Sequence, residues 1–192
     1  MLTEALQRFR ELTERAQTTS LAEPLAVTLA TVSADGQPTA RVVLLREFDE
    51  RGFVFYTNSR STKGSQIEAN PRVALCFFWD ELHEQVRVEG VASRVSGEMA
   101  DAYWAKRPRE SRVGAWASVQ SETLDDRSTL VDRMTEYEAK FAGQEVPRPE
   151  HWNGYRVAPH RIEFWTRGSA RLHERVSYDL SDGTWTKRLL YP

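Results

Sequence analysis

An antiparallel β-barrel with inserted helices is the fold class this sequence predicts. Three observations carry the prediction. The strand-like runs are short and separated by turn signals. Apolar and polar residues alternate along several of them. Helical spacing is confined to the N-terminus and a few interior stretches.

The first stretch, Met1 to about Thr18, places Leu2, Leu6, Phe9, Leu12 and Ala16 at helical spacing. It reads as an amphipathic helix that packs on the rest of the chain. Glu4, Glu11 and Glu14 argue against a transit peptide, which is poor in acids. Leu25 to Val32 and Thr39 to Arg46 read as two strands joined by a turn at Asp35-Gly36. Glu47 to Gly52 is polar and turn-like, and Phe53 to Thr57 is a third strand. Ser61 to Asn70 has helical character, with Ser61 or a close neighbour as N-cap and Asn70-Pro71 as a stop. Val73 to Trp79 and Gln85 to Val95 form a long hairpin. Val86 and Val88 alternate there with Gln85, Arg87 and Glu89, so one face is wet or lines a site. Two helices follow, Gly97 to Lys106 and Thr123 to Phe141. The second carries Leu124, Val131, Met134, Tyr137 and Phe141 on one stripe. Gln144 to Asn153, with Pro147 and Pro149, reads as a loop. The tail returns to strands at Arg161 to Thr166, Arg171 to Tyr178 and Trp185 to Leu190, with a turn at Asp182-Gly183. A single domain spanning residues 1–192 is expected, with residues 1–18 as its added helix.

Composition excludes several classes. Hydrophobic residues make up 40% and charged residues 28%, ordinary for a globular protein. A formal net charge of −2 disfavours general binding to nucleic acid. No apolar run approaches the ~18–20 residues of a membrane span. Cys76 is the only cysteine, so no intrachain disulfide forms, which fits a cytoplasmic protein. Within Val73 to Trp79 it reads as a buried thiol. His83, His151, His160 and His173 are scattered without metal-ligand spacing, so no metal is expected. No Gly-rich phosphate loop or nucleophile elbow is present.

Three clusters carry the remaining chemistry. The first joins Arg41 and Arg46 of the second strand with Arg60 and Lys63 at a helix start. A helix N-terminus offers free N–H groups to an anion, and Thr57, Ser61 and Thr62 add hydroxyls. By spacing alone, a solvated cap with surface arginines accounts for these residues equally well. The second cluster is Tyr103-Trp104-Ala105-Lys106-Arg107-Pro108-Arg109-Glu110-Ser111-Arg112, where Tyr103, Arg107 and Ser111 recur every four residues. They suit a phosphate dianion, and equally an exposed basic turn. The third is Ile162 to Arg175. On a strand, Arg171, His173 and Arg175 would share one face, with Trp165 nearby to cover a flat ring.

Taken in order, the clusters resemble the pyridoxamine 5′-phosphate oxidase family from about Leu25 to Pro192. The most specific piece is Ile162-Glu163-Phe164-Trp165 followed, after five residues, by Arg171-Leu172-His173-Glu174-Arg175. Supporting pieces are Arg41-Val42-Val43-Leu44-Leu45, Phe55-Tyr56-Thr57-Asn58, Asn70-Pro71-Arg72, Arg107-Pro108-Arg109-Glu110-Ser111 and Gly114-Ala115-Trp116-Ala117-Ser118.

The resemblance implies an FMN-binding split β-barrel, antiparallel and Greek-key-like, forming a homodimer with FMN between subunits. It implies oxidation of pyridoxamine or pyridoxine 5′-phosphate to pyridoxal 5′-phosphate, with dioxygen reduced to hydrogen peroxide. By position it implies Arg41 and Lys63 as ligands of the FMN phosphate, with Val42, Val43, Leu44, Ser61 and Thr62 beside them. Tyr56, Thr57, Gln85, Gln120, Ser121, Trp165 and Arg175 complete the implied flavin site. Arg46, Tyr103, Arg107 and Ser111 form the implied clamp on the substrate phosphate. Arg171 and His173 are the implied catalytic pair that binds the substrate and orients its ring. The chain departs from the family pattern at Arg46, where Lys is common, at Thr62, where an Arg usually precedes the Lys, and at Thr166. Two other readings are an oxidase of this fold acting on a different aromatic substrate, such as a reduced phenazine precursor, and a non-catalytic flavin- or B6-binding protein.

Overall fold

The computed structural model describes all residues from Met1 to Pro192. Helix α1 spans Leu2–Gln17, followed by strands β1 (Ala26–Val32), β2 (Pro38–Leu44), β3 (Glu47–Asp49) and β4 (Gly52–Asn58). Then come α2 (Thr62–Ala69), β5 (Arg72–Trp79), β6 (Glu84–Arg94), α3 (Gly97–Ala105), α4 (Arg109–Ala117) and α5 (Arg127–Lys140). The chain ends with β7 (Trp152–Thr166), β8 (Glu174–Ser181) and β9 (Thr184–Leu190).

All nine strands belong to one antiparallel sheet, ordered β2-β1-β5-β6-β7-β4-β3, with β8 and then β9 branching from β7. The branch exists because β7 is 15 residues long. One edge pairs with β6 from Tyr155 to Thr166. The other edge is divided, pairing with β4 over Trp152 to Val157 and with β8 over Arg161 to Thr166. The sheet curls but does not close. Just past the end of β2, the Arg46 N–H donates to the Val54 carbonyl at 2.8 Å, bringing the two ends of the sheet path together.

Inside the curl, residues alternate as period-2 patterning demands. Val86, Val88, Ile162 and Phe164 are fully buried, while Gln85, Arg87, Glu89 and Trp165 face outward. Helix α1 closes one end of the core. Its Phe9 meets the rings of Phe48, Phe53 and Phe77 edge-on at 4.9–5.1 Å and lies beside Trp79. A smaller cluster of Trp104, Val113, Phe141, Val146 and Trp152 joins α3–α5 to the start of β7.

The structure corrects several sequence expectations. Glu47–Asp49 is a short strand rather than a turn, because its pairing with β4 outweighs its polar composition. Three helices, not two, lie between β6 and β7, since Arg109–Ala117 forms α4 directly after Pro108. Helix α5 starts at Arg127, capped by the Asp126 carboxylate on the Ser128 N–H at 2.6 Å. Its expected apolar stripe is only partly used: Leu124 and Val131 are exposed, while Met134, Tyr137 and Phe141 reach the smaller cluster. Strand β7 begins nine residues before the expected Arg161. Cys76 is half-buried rather than buried, opposite Arg87 across the β5–β6 pairing.

Phe9→Ala should destabilise the protein by about 3–5 kcal/mol, the usual range for removing a buried aromatic ring. Urea unfolding checks this. A loss below ~1 kcal/mol would mean that α1 is not part of the core.

Candidate functional site

The first two groups of the sequence merge into one, the first cluster of the structure, where β2, β4 and the N-terminus of α2 converge. Arg41 turns its guanidinium across β1, donating to the Leu29 carbonyl (3.1 Å), Thr31 Oγ1 (2.6 Å), Thr39 Oγ1 (2.5 Å) and Gln66 Oε1 (3.4 Å). All four acceptors are neutral. Lys63 Nζ likewise donates only to Gln120 Oε1 (2.8 Å), Ser61 Oγ (3.1 Å) and Thr57 Oγ1 (3.3 Å). Burial, and then the charge of Arg41, pull the Lys63 ammonium below the usual lysine range. Burial lowers Arg41 as well. Ser61 is the N-cap of α2, accepting from the Gly64 N–H. The free N–H of Thr62 donates to Ser121 Oγ at 3.2 Å. Gln120 and Ser121 thus reach this helix end from the loop after α4, with Ser121 in the left-handed region at φ 77°.

Above this helix end lies a cavity of about 250 Å³. Val42, Val43 and Leu44 line it from β2, Tyr56 and Thr57 from β4, and Lys63 and Gln120 from below. Arg46, Tyr103 and Arg107 complete it. A second cavity of about 310 Å³ shares Tyr56, Thr57, Arg107 and Gln120 and adds Ser111, His151 and Trp152. Arg46 lies just beyond β2 rather than on it as expected, because the strand ends at Leu44.

An aromatic stack sets the arginines. Tyr56 and Tyr103 are parallel at 4.1 Å, and Tyr56 and Trp152 at 5.2 Å. The Arg107 guanidinium sits 5.0 Å from the Trp152 ring, and that of Arg46 sits 5.9 Å from Tyr103. Gly154, cross-strand from Tyr56, makes this possible, since a side chain there would strike the Tyr56 ring. Arg107 donates through Nη2 to the Ser111 carbonyl at 3.2 Å, but its buried Nε has no partner. Burial depresses its pKa and nearby Arg46 depresses it further, while Tyr103 opposes. The Tyr56 hydroxyl is also buried without a partner, and burial together with Glu47 pushes it up to about 12.

Arg41, Arg46, Lys63 and Arg107 make no salt bridge, and no Asp or Glu lines either cavity. Partly buried cations that repel one another, with donors left free, fit anionic ligands. A flat aromatic ligand bearing a phosphate suits both the stacked rings and the helix end.

The third group of the sequence, Ile162 to Arg175, joins Gln85 as the second cluster of the structure, and it lies elsewhere. Gln85, Trp165 and Arg175 stand in register across β6, β7 and β8. The His173 ring is 4.5 Å from that of Trp165, and its Nδ1 accepts from the Gly168 N–H at 3.2 Å. The remaining proton of a neutral His173 therefore sits on Nε2. Arg171 is not on a strand, which overturns the shared-face expectation for Arg171, His173 and Arg175. It ends a 3₁₀ turn, Ser169–Arg171, in which Ala170 (φ 51°) and Arg171 (φ 64°) are both left-handed, and β8 begins only at Glu174. Gly168 permits this turn, because a Cβ there would collide with the Leu172 carbonyl.

The first cluster touches β7 at Trp152 and the second at Trp165, roughly 40 Å apart along the strand at about 3.3 Å per residue. Neither cavity contains a residue of the second cluster. Sequence reasoning missed Trp152, which it had placed in a loop, and His151, whose Nε2 is 3.0 Å from the Ala115 carbonyl. Only the stacking, absent from any linear spacing, singles out Trp152.

The chain is similar to known proteins along nearly its whole length. Residues 12–141 match the family model of pyridoxamine 5′-phosphate oxidase, and residues 152–192 match that of the pyridoxine 5′-phosphate oxidase C-terminal dimerisation region. A pyridoxine/pyridoxamine 5′-phosphate oxidase of Myxococcus xanthus is 55% identical over 187 residues, covering 97% of this chain and 91% of its own. The one of Alkalilimnicola ehrlichii is 52% identical over 194 residues, covering 100% and 99%. The structure of PhzG from Burkholderia lata in complex with tetrahydrophenazine-1-carboxylic acid has a TM-score of 0.90 at 32% identity, covering 99% and 92%. A related FMN-binding protein from Nostoc punctiforme shares the fold, with a TM-score of 0.78 at 20% identity over 97% and 96% of the chains.

Sulfate, which does not titrate near neutrality, should bind the flavin-free protein at this helix end. Lys63→Met should weaken it about tenfold, the scale of one charge-assisted hydrogen bond. Because the Lys63 pKa is lowered, the affinity should fall as pH rises, at a pH below that at which an ordinary lysine loses its proton. Calorimetric titration across alkaline pH checks both. An affinity indifferent to Lys63 would place the anion elsewhere.

Proposed function

The chain belongs to the pyridoxamine 5′-phosphate oxidase family, and we propose on that footing that it oxidises pyridoxamine or pyridoxine 5′-phosphate to pyridoxal 5′-phosphate, with FMN as its cofactor. The observation that carries this reading is that three cations, Arg46, Lys63 and Arg107, line two joined cavities without carboxylate partners, with Arg41 beside Lys63 equally unpaired. When bound, FMN supplies the two-electron acceptor for a hydride equivalent from the substrate's C4′ carbon and passes the electrons to dioxygen, giving hydrogen peroxide.

The chain's own residues bind and orient. Arg41 and Lys63, with Thr57, Ser61 and the first turn of α2 including Thr62, hold the FMN phosphate. Val42, Val43 and Leu44 give the flavin an apolar wall, and Tyr56, Gln120 and Ser121 supply polar contacts. Arg46, Tyr103, Arg107 and Ser111 clamp the substrate phosphate. Gln85, Trp165 and Arg175 belong to the flavin site, while Arg171 and His173 orient the pyridine ring. His173, with its Nδ1 engaged by the Gly168 N–H, presents Nε2–H as a donor. The protein's contribution is alignment, in which a misplacement of about 1 Å costs on the order of a hundredfold in rate.

The two clusters lie at opposite ends of β7, so a complete site takes one from each of two chains. The functional unit is a homodimer. Support comes from the match of residues 152–192 to a dimerisation region, which contains the whole second cluster except Gln85. Leu172, Leu189 and Tyr191 are 72%, 76% and 94% exposed in the same region, apolar side chains that suit burial against a partner chain.

A second reading, oxidation of a reduced phenazine carboxylate, is favoured by the likeness to the Burkholderia lata structure. Paired Arg46 and Arg107 suit a phosphate dianion better than a single carboxylate. Turnover of pyridoxine 5′-phosphate and a tetrahydrophenazine carboxylate, followed by peroxide release, separates the two readings; oxidation of the phenazine alone would reject the first.

Arg107→Ala should raise KM about ten- to a hundredfold, the value of a hydrogen bond to a charged group, while FMN stays bound. Arg171→Ala should lower kcat as well. Steady-state kinetics with a flavin absorbance spectrum check both. Loss of flavin from Arg107→Ala with KM unchanged would reverse the assignment of the two phosphate sites.

A further inference from the structure

Arg175 is held by a residue with no role in the site described so far. We propose that Glu163 is a positioning residue for flavin binding, acting by fixing the guanidinium of Arg175. The proposal rests on the assignment of Arg175 to the flavin site.

Glu163 sits at the middle of the β6-β7-β8 layer. Its neighbours Ile162 and Phe164 point into the core, so its side chain leaves by the opposite face. It is nonetheless only 5% exposed, because arginines cover it. Its Oε1 accepts from Arg175 Nε at 3.0 Å and lies 2.9 Å from Arg175 Nη2. Its Oε2 lies 3.5 Å from Nη1 of Arg87, the residue directly across β6. Arg175 Nη1 donates to the carbonyl of Tyr191 at 2.9 Å. The guanidinium is therefore pinned on two sides, with its other N–H groups left free to donate.

Of the two arginines that Glu163 meets, only Arg175 depends on it for a carboxylate partner. Arg87 also pairs with Glu89 at 2.7 Å, and Arg161 and Arg188 share Asp179 at 2.5 and 2.8 Å. Removing the Glu163 charge leaves each of these pairs intact. Arg175 alone loses its only carboxylate partner. A flexible arginine must be ordered by its ligand at an entropic cost, whereas one already held in place is not. Arg41, Arg46 and Arg107 rest instead on neutral acceptors or rings.

The test titrates FMN into flavin-free protein, read by quenching of flavin fluorescence, for Glu163→Gln, Arg175→Ala and the double variant. Glu163→Gln should weaken FMN about tenfold, on the scale of a lost charge-assisted hydrogen bond, while the thermal midpoint of the flavin-free protein barely moves. Glu163→Asp, which keeps the charge on a shorter arm, should fall between parent and Glu163→Gln. In the Arg175→Ala background, Glu163→Gln should have no further effect. If Arg175→Ala binds FMN like the parent, the assignment of Arg175 fails and takes the proposal with it. If Arg175→Ala weakens FMN but Glu163→Gln does not, or if their effects simply add, the assignment stands and the proposal is overturned.

Discussion

Strand β7 organises this protein through the way its second edge is shared. Along one edge it pairs with β6 for most of its length, and along the other it gives its first half to β4 and its last to β8. A strand can do this only if it is long, and only if the register to both partners is fixed by burial. Ile162, Phe164 and Val157 supply that burial, each fully enclosed. The shared edge turns a curled sheet into a branched one. It also sets the chemistry, because one end of β7 carries Trp152 beneath Arg107, while the other carries Trp165 beside His173.

The two ends manage charge in opposite ways. At the first, Arg41, Lys63 and Arg107 are held by hydroxyls, amides, carbonyls and ring faces. Neutral partners position a cation without neutralising it, so the field in the cavities stays positive and the burial cost is unrelieved until an anion enters. At the second, Arg175 is neutralised and oriented by Glu163, and the face around it is a lattice of alternating arginines and carboxylates. The first end suits phosphate; the second suits donors aimed at a flat, polar ring. That difference explains how a protein of net charge −2 concentrates anion affinity in one place.

Much of this was legible in the sequence because it depends on local rules. Ser61 as N-cap, the β5–β6 hairpin and the Asp182-Gly183 turn all follow from neighbours in the chain. What was illegible depends on distant contacts. Gln144 to Asn153 reads as loop because Pro147, Pro149 and nearby Gly154 punctuate it, so the start of β7 at Trp152 escapes and no strand is read before Arg161. Gly154 is required by the Tyr56 ring packed on it, and Pro159 falls where the β6–β7 register shifts at Glu89 and Gly90. Arg171 was assigned to a strand from alternation alone. The glycine three residues earlier was the available signal for the turn that carries it. Gln120 joins Arg41 and Lys63 only through family resemblance, since it lies 57 residues from Lys63.

The central claim is that each site takes its two clusters from different chains. Co-expression of Arg107→Glu, broken in the first cluster, with Arg171→Glu, broken in the second, tests it directly. Each variant alone should be inactive. In a mixed two-fold dimer one site carries both defects and the other neither, so random pairing should restore about a quarter of parental activity. No recovery, with mixed dimers verified by differential tags, would mean that both clusters serve a site within one chain.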